Sequence, residues 1–281
     1  MCRIALIVGL NVTSNASNPN EVVEAFIKSS ECDPYLASLT GKEGCASHDD
    51  GWGYVVVGWD GKGGDARIAS YKTSKPVFKD VAGVNSLLDV LKDSFNYVLI
   101  LHSRKASIGS KNAFNAHPFY FSGRGFDYWL VHNGTALKEE LTKALNLREF
   151  DNLDVSDTYV LGTYIYSQIS ELSRESLINA YRRAVKFTKT ALNTIALAFN
   201  TSSLIAVVTS YLNKGRLGNV KEVDYYKLYE YEGRNVYAVV SSTLALHLRS
   251  EGRVDEVPLQ SGLILNFDEG RLNKTWFRLE D

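Results

Sequence analysis

Several things are missing from this 281-residue chain, and each absence removes a class of function. No basic stripe runs through it and the net charge is −1, so nucleic acid is not expected as the main partner. The densest basic cluster, Tyr181-Arg182-Arg183-Ala184-Val185-Lys186, reads as the solvated face of a helix. No apolar run reaches membrane-spanning length. The run Ile4 to Leu10 is far too short and lacks the basic flank and small-residue cleavage site of a secretory signal. Cysteine is scarce: Cys2, Cys32 and Cys45 form an odd set without CxxC spacing, which suits a reducing compartment, excludes a structural zinc and makes the cytoplasm the expected location. There is no phosphate-binding loop, no dinucleotide fingerprint, no internal repeat and no Pro/Gly-rich linker.

The chain is otherwise that of an ordinary globular protein, 45% hydrophobic and 22% charged. Strand patterns fall at Arg3 to Val8, Gly53 to Trp59, Ala66 to Tyr71, Tyr97 to His102 and Tyr128 to Val131, with Asp60-Gly61 as a hairpin turn. Helical spacing follows over Glu21 to Lys28, Thr135 to Leu147, Ser156 to Leu172 and Glu175 to Thr190. The last third returns to strands at Thr194 to Phe199, Leu204 to Thr209, Tyr225 to Tyr231, Val236 to Ser241 and Gly262 to Phe267. Strands, then helices, then strands again favour one layered α+β domain over residues 1–281.

The most informative residue is Cys2. Removal of Met1 would make it an N-terminal cysteine, whose α-amine has an ordinary pKa of about 7.7–8.0 and can serve as base for its own thiol. Arg104 ends a buried strand and can present a fork to a carboxylate, with a structural salt bridge as the competing reading. His117 precedes Pro118, which fixes its backbone, and a structural histidine is the simpler reading. Asn133 and Gly134 can supply a side-chain amide and a main-chain N–H to an oxyanion, or form an Asn-Gly turn before a helix. Asp157 starts a helix and can pair with a substrate ammonium or simply favour the helix dipole.

In order, Met1-Cys2, His48-Asp49-Asp50-Gly51-Trp52-Gly53, His102-Ser103-Arg104, Asn115-Ala116-His117-Pro118-Phe119, His132-Asn133-Gly134 and Ser156-Asp157 resemble the glutaminase domain of class II glutamine amidotransferases. These are N-terminal nucleophile hydrolases, and the Asp-Gly-Trp-Gly and Asn-x-His-Pro-Phe pieces look most like their stand-alone branch. The resemblance spans residues 2–158 and implies a four-layer αββα sandwich. It also implies Cys2 as nucleophile and base, Asn133 and Gly134 as oxyanion hole, and Arg104 and Asp157 as substrate contacts, with His117 beside them. Asp50-Gly51-Trp52-Gly53 would shape the adjoining loop.

The implied substrate is glutamine or another γ-glutamyl amide, with no cofactor and no metal. No nucleic-acid or membrane partner is expected; an ammonia-accepting synthase subunit and a homo-oligomer are the candidate partners. Two positions depart from the pattern, Tyr159 where relatives often carry Glu, and Lys105 in place of a small residue. They bear on glutamine specificity rather than on the attacking group. A catalytically silent binding subunit is the reading outside enzymology.

Overall fold

The computed structural model describes residues 1–10, 20–59, 66–92, 94, 96–147, 153–233, 235–249, 252–268 and 271–280. β1 (Cys2–Gly9) is buried at every position. It pairs antiparallel with β4 (Asn96–Arg104) on one side and β10 (Val236–Ser241) on the other. β2 (Trp52–Trp59), β3 (Ala66–Thr73), β9 (Leu228–Gly233) and β11 (Arg253–Glu256) complete a seven-stranded sheet of order β11-β9-β10-β1-β4-β2-β3.

A second sheet has six strands in the order β13-β12-β8-β7-β6-β5. Its members are β5 (Phe119–Phe121), β6 (Asp127–Ala136), β7 (Thr188–Phe199), β8 (Leu204–Ser210), β12 (Ser261–Asp268) and β13 (Arg271–Arg278).

Side chains alternate across a strand, so a strand buried on both faces feeds two cores at once. Ile4, Leu6 and Val8 of β1 join Val98 and Ile100 of β4 against Trp129, Val131, Ile195 and Leu197 of the second sheet. The intervening Ala5, Ile7, Leu99 and Leu101 face a layer of helices: α1 (Asn20–Glu31), α3 (Val81–Lys92) and α8 (Ser242–Leu248). On the far side, Tyr128, Leu130, Ala196 and Ala198 pack on α4 (Lys138–Leu145), α5 (Asp157–Gln168) and α6 (Arg174–Ala184). Helices, sheet, sheet, helices: this is the expected four-layer αββα sandwich. Two shorter helices, α2 (Pro34–Thr40) and α7 (Val220–Tyr226), enclose Met1 in a small apolar cluster with Leu36, Ala191, Leu212, Tyr225 and Tyr226.

Three expectations change. Asn133-Gly134 is not a turn: β6 continues through it to Ala136, and α4 begins only at Lys138. The Ala136 N–H is taken by Asp157 Oδ2 and the Leu137 N–H by Phe187 O, so the segment before α4 is pinned outside the helix. The strand expected over Tyr225 to Tyr231 is split, because Asn219 caps α7 by accepting the Glu222 N–H and keeps Tyr225 and Tyr226 helical. The cysteines are not three thiols. Cys32 and Cys45 form a disulfide and Cys2 alone is free, because the antiparallel bridge Asp33↔Ala46 brings residues 32 and 45 side by side. The Asp60-Gly61 turn lies outside the described residues; β2 and β3 pair from Trp52↔Thr73 to Trp59↔Ala66 as a hairpin requires. Among the described residues no helix is long and apolar enough to cross a membrane.

Candidate active site

Strand register places the first candidate residues together. Cys2 stands opposite Arg104 in the β1–β4 ladder, and Met1 extends the ladder by exchanging main-chain hydrogen bonds with Lys105. The Cys2 N–H donates to Asn133 Oδ1 at 2.8 Å, which ties the start of β1 to β6 of the other sheet. The Tyr225 hydroxyl donates to Cys2 O at 3.1 Å. Cys2 is 6% exposed.

Asn133 is fully buried, and while its oxygen is engaged its Nδ2 has no partner among the described residues. A buried amide NH2 without an acceptor is costly, and it is a donor available to negative charge beside Cys2. The next position must be glycine: a Cβ at Gly134 would overlap Ala191 O and the His132 ring.

Among the described residues Arg104 is held by main-chain oxygens and by no carboxylate. Nη1 donates to Ser110 O (2.7 Å), and Nη2 to Ile108 O (2.9 Å) and Gly109 O (3.2 Å). The expected salt-bridge alternative is therefore not what occupies it. The loop that supplies these carbonyls turns at Gly109, at φ +79°, where a Cβ would also crowd Asn115 and the Ser156 N–H. Asn115 then joins loop to helix, its Oδ1 accepting the Ser156 N–H at 2.8 Å and its Nδ2 donating to Asp154 O at 3.0 Å.

Ser156 caps α5, and Asp157 is its first residue. Asp157 Oδ2 accepts the Ala136 N–H at 2.7 Å, just beyond Asn133-Gly134 on the same strand. Asp50 likewise braces the site from the side, accepting the Ala106 N–H and pairing with Lys111.

His117 stacks on His102, ring centroids 3.9 Å apart, and meets Phe119 edge-on. All four ring nitrogens of His102 and His117 are buried without protein partners among the described residues. Burial first, and then the nearby Arg104 charge for His102 and the stacked His102 for His117, pushes both rings well below the usual histidine range, so they are neutral. His132 is also lowered by burial, although the Asp157 charge opposes this. Its Nε2 lies 2.9 Å from Ala191 O, which only accepts, so Nε2 carries the proton and Nδ1 accepts from Thr158 Oγ1.

A buried polar cluster behind Cys2 was not foreseen. Asp33 Oδ2 accepts from Arg3 Nε at 2.6 Å and His48 Nε2 at 2.6 Å, and lies 2.5 Å from Arg3 Nη2 in the same ion pair. Asp33 Oδ1 accepts the Leu36 N–H and the Thr243 hydroxyl. Burial alone would raise the Asp33 carboxyl, but the Arg3 charge and its hydrogen bonds outweigh that and hold it below the carboxylate range. Burial lowers His48 to about 4. The one local signal was a charged residue, Arg3, inside an apolar strand; its partners lie 30 or more residues away.

Among the described residues no group of three or more His, Cys, Asp or Glu side chains is placed to hold a metal ion. The arrangement brings the residue with the free thiol, Cys2, against the buried amide of Asn133.

The sequence profile of the glutamine amidotransferases class-II matches residues 31–201. Among solved structures, the glutamine phosphoribosylpyrophosphate amidotransferase from B. subtilis, complexed with ADP and GMP, superposes with a TM-score of 0.57 at 18% identity. A structure described as the allosteric regulatory enzyme of purine biosynthesis gives the same TM-score and identity. The match covers 99% of this chain and 49% of each of those, so the chain spans about half their length. Curated protein sequences yield no match.

Proposed function

The chain belongs to the class-II glutamine amidotransferases, and from that premise we propose that it is a cysteine amidohydrolase releasing ammonia from the glutamine side-chain amide. Cys2 is the nucleophile in this reading, once Met1 is removed and its nitrogen becomes a free α-amine. The whole of 1–281 acts as one glutaminase-type domain, with the motif-bearing part at 2–158.

The observation that carries the reading is the double use of Asn133. Its Oδ1 receives the N–H of Cys2 at 2.8 Å, and its Nδ2 is left as a buried donor without a partner among the described residues. The amine takes the thiol proton, and the thiolate attacks the amide carbon. Asn133 Nδ2–H and the Gly134 N–H receive the oxyanion. The C–N bond then breaks as the α-ammonium returns its proton to the departing ammonia, leaving a γ-glutamyl thioester. Water, deprotonated by the same amine, hydrolyses the thioester to glutamate and restores the thiol.

Arg104 reads the substrate α-carboxylate and Asp157 its α-ammonium, and His117 closes the pocket beside them. A synthase subunit that accepts the ammonia belongs to this proposal as the partner. The test is glutamate release from L-glutamine by protein whose intact mass shows Met1 removed. It should vanish in Cys2→Ala.

A second reading, a different γ-glutamyl amide as substrate, is favoured by one feature. Tyr159 packs with Phe114, Phe119 and Phe121, and Phe114 is 57% exposed, which forms an aromatic wall beside the loop that carries His117. Faster turnover of an aryl γ-glutamyl amide than of glutamine would select it.

A further inference from the structure

The main chain of Cys2 is gripped at both ends by groups from different parts of the fold. Its N–H goes to Asn133 of β6, and its carbonyl oxygen accepts the Tyr225 hydroxyl from α7 at 3.1 Å. Once Met1 is removed, the Cys2–Arg3 peptide plane is still held through the Cys2 carbonyl, and rotation about Cα–Cβ is the main freedom left to the thiol. Tyr225 is itself immobilised. The Arg3 guanidinium lies over its ring, 4.4 Å from the centroid, and Arg3 Nη1 donates to Tyr225 O at 3.2 Å. Ser242 Oγ accepts from the same Nη1 and donates to Tyr225 O.

Arg3 in turn is fixed by Asp33, and Asp33 by His48 and Thr243. Arg3, Asp33, His48 and Tyr225 are each 0% exposed. A folded core needs no buried ion pair of this kind, since apolar residues of similar volume commonly do as well or better. What the cluster supplies is geometry: a planar fork fixes the Tyr225 ring, and the hydroxyl of that ring reaches the carbonyl of the residue that carries the thiol.

We propose that Tyr225, anchored through Arg3 by Asp33, is a positioning residue that holds Cys2 in its attacking orientation. This rests on the reading of Cys2 as nucleophile. Burial pushes the Tyr225 hydroxyl well above its usual range, so it stays a donor at every working pH. Loss of the hydroxyl leaves the Arg3–Asp33 pair intact and frees only the Cys2 carbonyl.

The test compares wild type, Tyr225→Phe and Arg3→Lys as processed full-length protein. Three quantities are read: kcat and KM for glutamine, and the ¹³Cβ NMR signal of Cys2 in cysteine-labelled protein. The disulfide-bonded Cys32 and Cys45 resonate apart from the free thiol. In Tyr225→Phe we expect kcat to fall about 10-fold, within the ~10²-fold that a 1 Å misplacement can cost. KM should stay within about twofold of wild type, the split expected when a transition-state arrangement is lost rather than binding. The Cys2 signal, single in wild type, should shift or broaden, and Arg3→Lys should move it the same way.

Unchanged kcat in Tyr225→Phe overturns the proposal, whether or not the Cys2 signal moves. If wild type does not hydrolyse glutamine, the substrate reading fails on its own. The NMR comparison then decides the positioning claim alone: a shifted signal in Tyr225→Phe upholds it, and an unshifted one overturns it.

Discussion

Asn133 Oδ1 accepts the main-chain N–H of Cys2 at 2.8 Å, and that hydrogen bond joins β1 of one sheet to β6 of the other. The bond orients the Asn133 amide so that its NH2 cannot be spent on the same partner. Replacing Asn133 by Ala should therefore remove an oxyanion donor and the tether of the Cys2 nitrogen together. Loss of one such donor typically lowers kcat by ~10²–10³. Steady-state kinetics should show that fall, with glutamine binding retained. Wild-type kcat would remove Asn133 from the reaction.

Arg104 has two Nη atoms engaged by Ser110, Ile108 and Gly109 carbonyls, so its fork is already aimed and rigid. Arg104→Ala should raise KM for glutamine by about 10-fold or more with a smaller effect on kcat, since carboxylate binding is common to ground and transition states. Arg104→Lys should not rescue it, because an ammonium lacks the planar fork. The kcat and KM of both variants check this.

The Cys32–Cys45 disulfide brackets Asp33 and closes a segment with a sequence separation of 13. For a loop of that size, loop-closure entropy gives roughly 3 kcal/mol. The double variant Cys32→Ser, Cys45→Ser should lose about that much stability in urea unfolding, followed under conditions where Cys2 is not oxidised. Equal unfolding midpoints would show that the Asp33↔Ala46 bridge carries the segment without the crosslink.

Acidification should destabilise the fold from near neutrality downward. His48 is lowered to about 4, and His102, His117 and His132 are also below their ordinary value, in each case first by burial. The unfolded chain therefore binds protons at about pH 6.5 that the folded chain refuses. Stability is complete above that pH and falls as pH drops toward 4, by up to ~1.4 kcal/mol per pH unit for each such histidine. Asp33 has the same sign at lower pH: its depressed carboxyl stabilises the fold above about 3.9, and the contribution is lost below it. Denaturant unfolding at pH 7.5, 6 and 5 checks the slope, and His48→Gln should make it shallower.

Much of the fold was legible because strand alternation is a local property. The order of strands and helices read as one layered α+β domain, while the four-layer sandwich was implied by the family resemblance; that Ile4, Leu6 and Val8 enter one core and Ala5 and Ile7 another is what the structure adds. The neighbourhood of Cys2, Arg104 and Asn133 was legible as ordered motifs, although nothing local distinguishes an Asn-Gly turn from an Asn-Gly inside a strand. Cross-strand pairing of β6 with β7 at Gly134 decides that.

The cluster behind Cys2 was not legible. Asp33 before Pro34 reads as a helix start, which it is, and its second role toward Arg3, His48 and Thr243 depends on pairings across 15 to 210 residues. Tyr225 lies in a stretch that reads as strand; the Asn219 cap keeps it helical, and Arg3 and Ser242 hold it where its hydroxyl meets Cys2.

The central claim is that Cys2 forms a covalent bond to the γ-acyl group of its substrate. Acid-quenched intact mass of processed protein, mixed with excess L-glutamine and sampled during turnover, tests it directly. The account predicts a γ-glutamyl adduct that maps to Cys2, appears before steady state and is absent from Cys2→Ala. Turnover that persists in Cys2→Ala, or proceeds in wild type while no adduct forms on Cys2 even when Asn133→Ala slows the reaction, would contradict it.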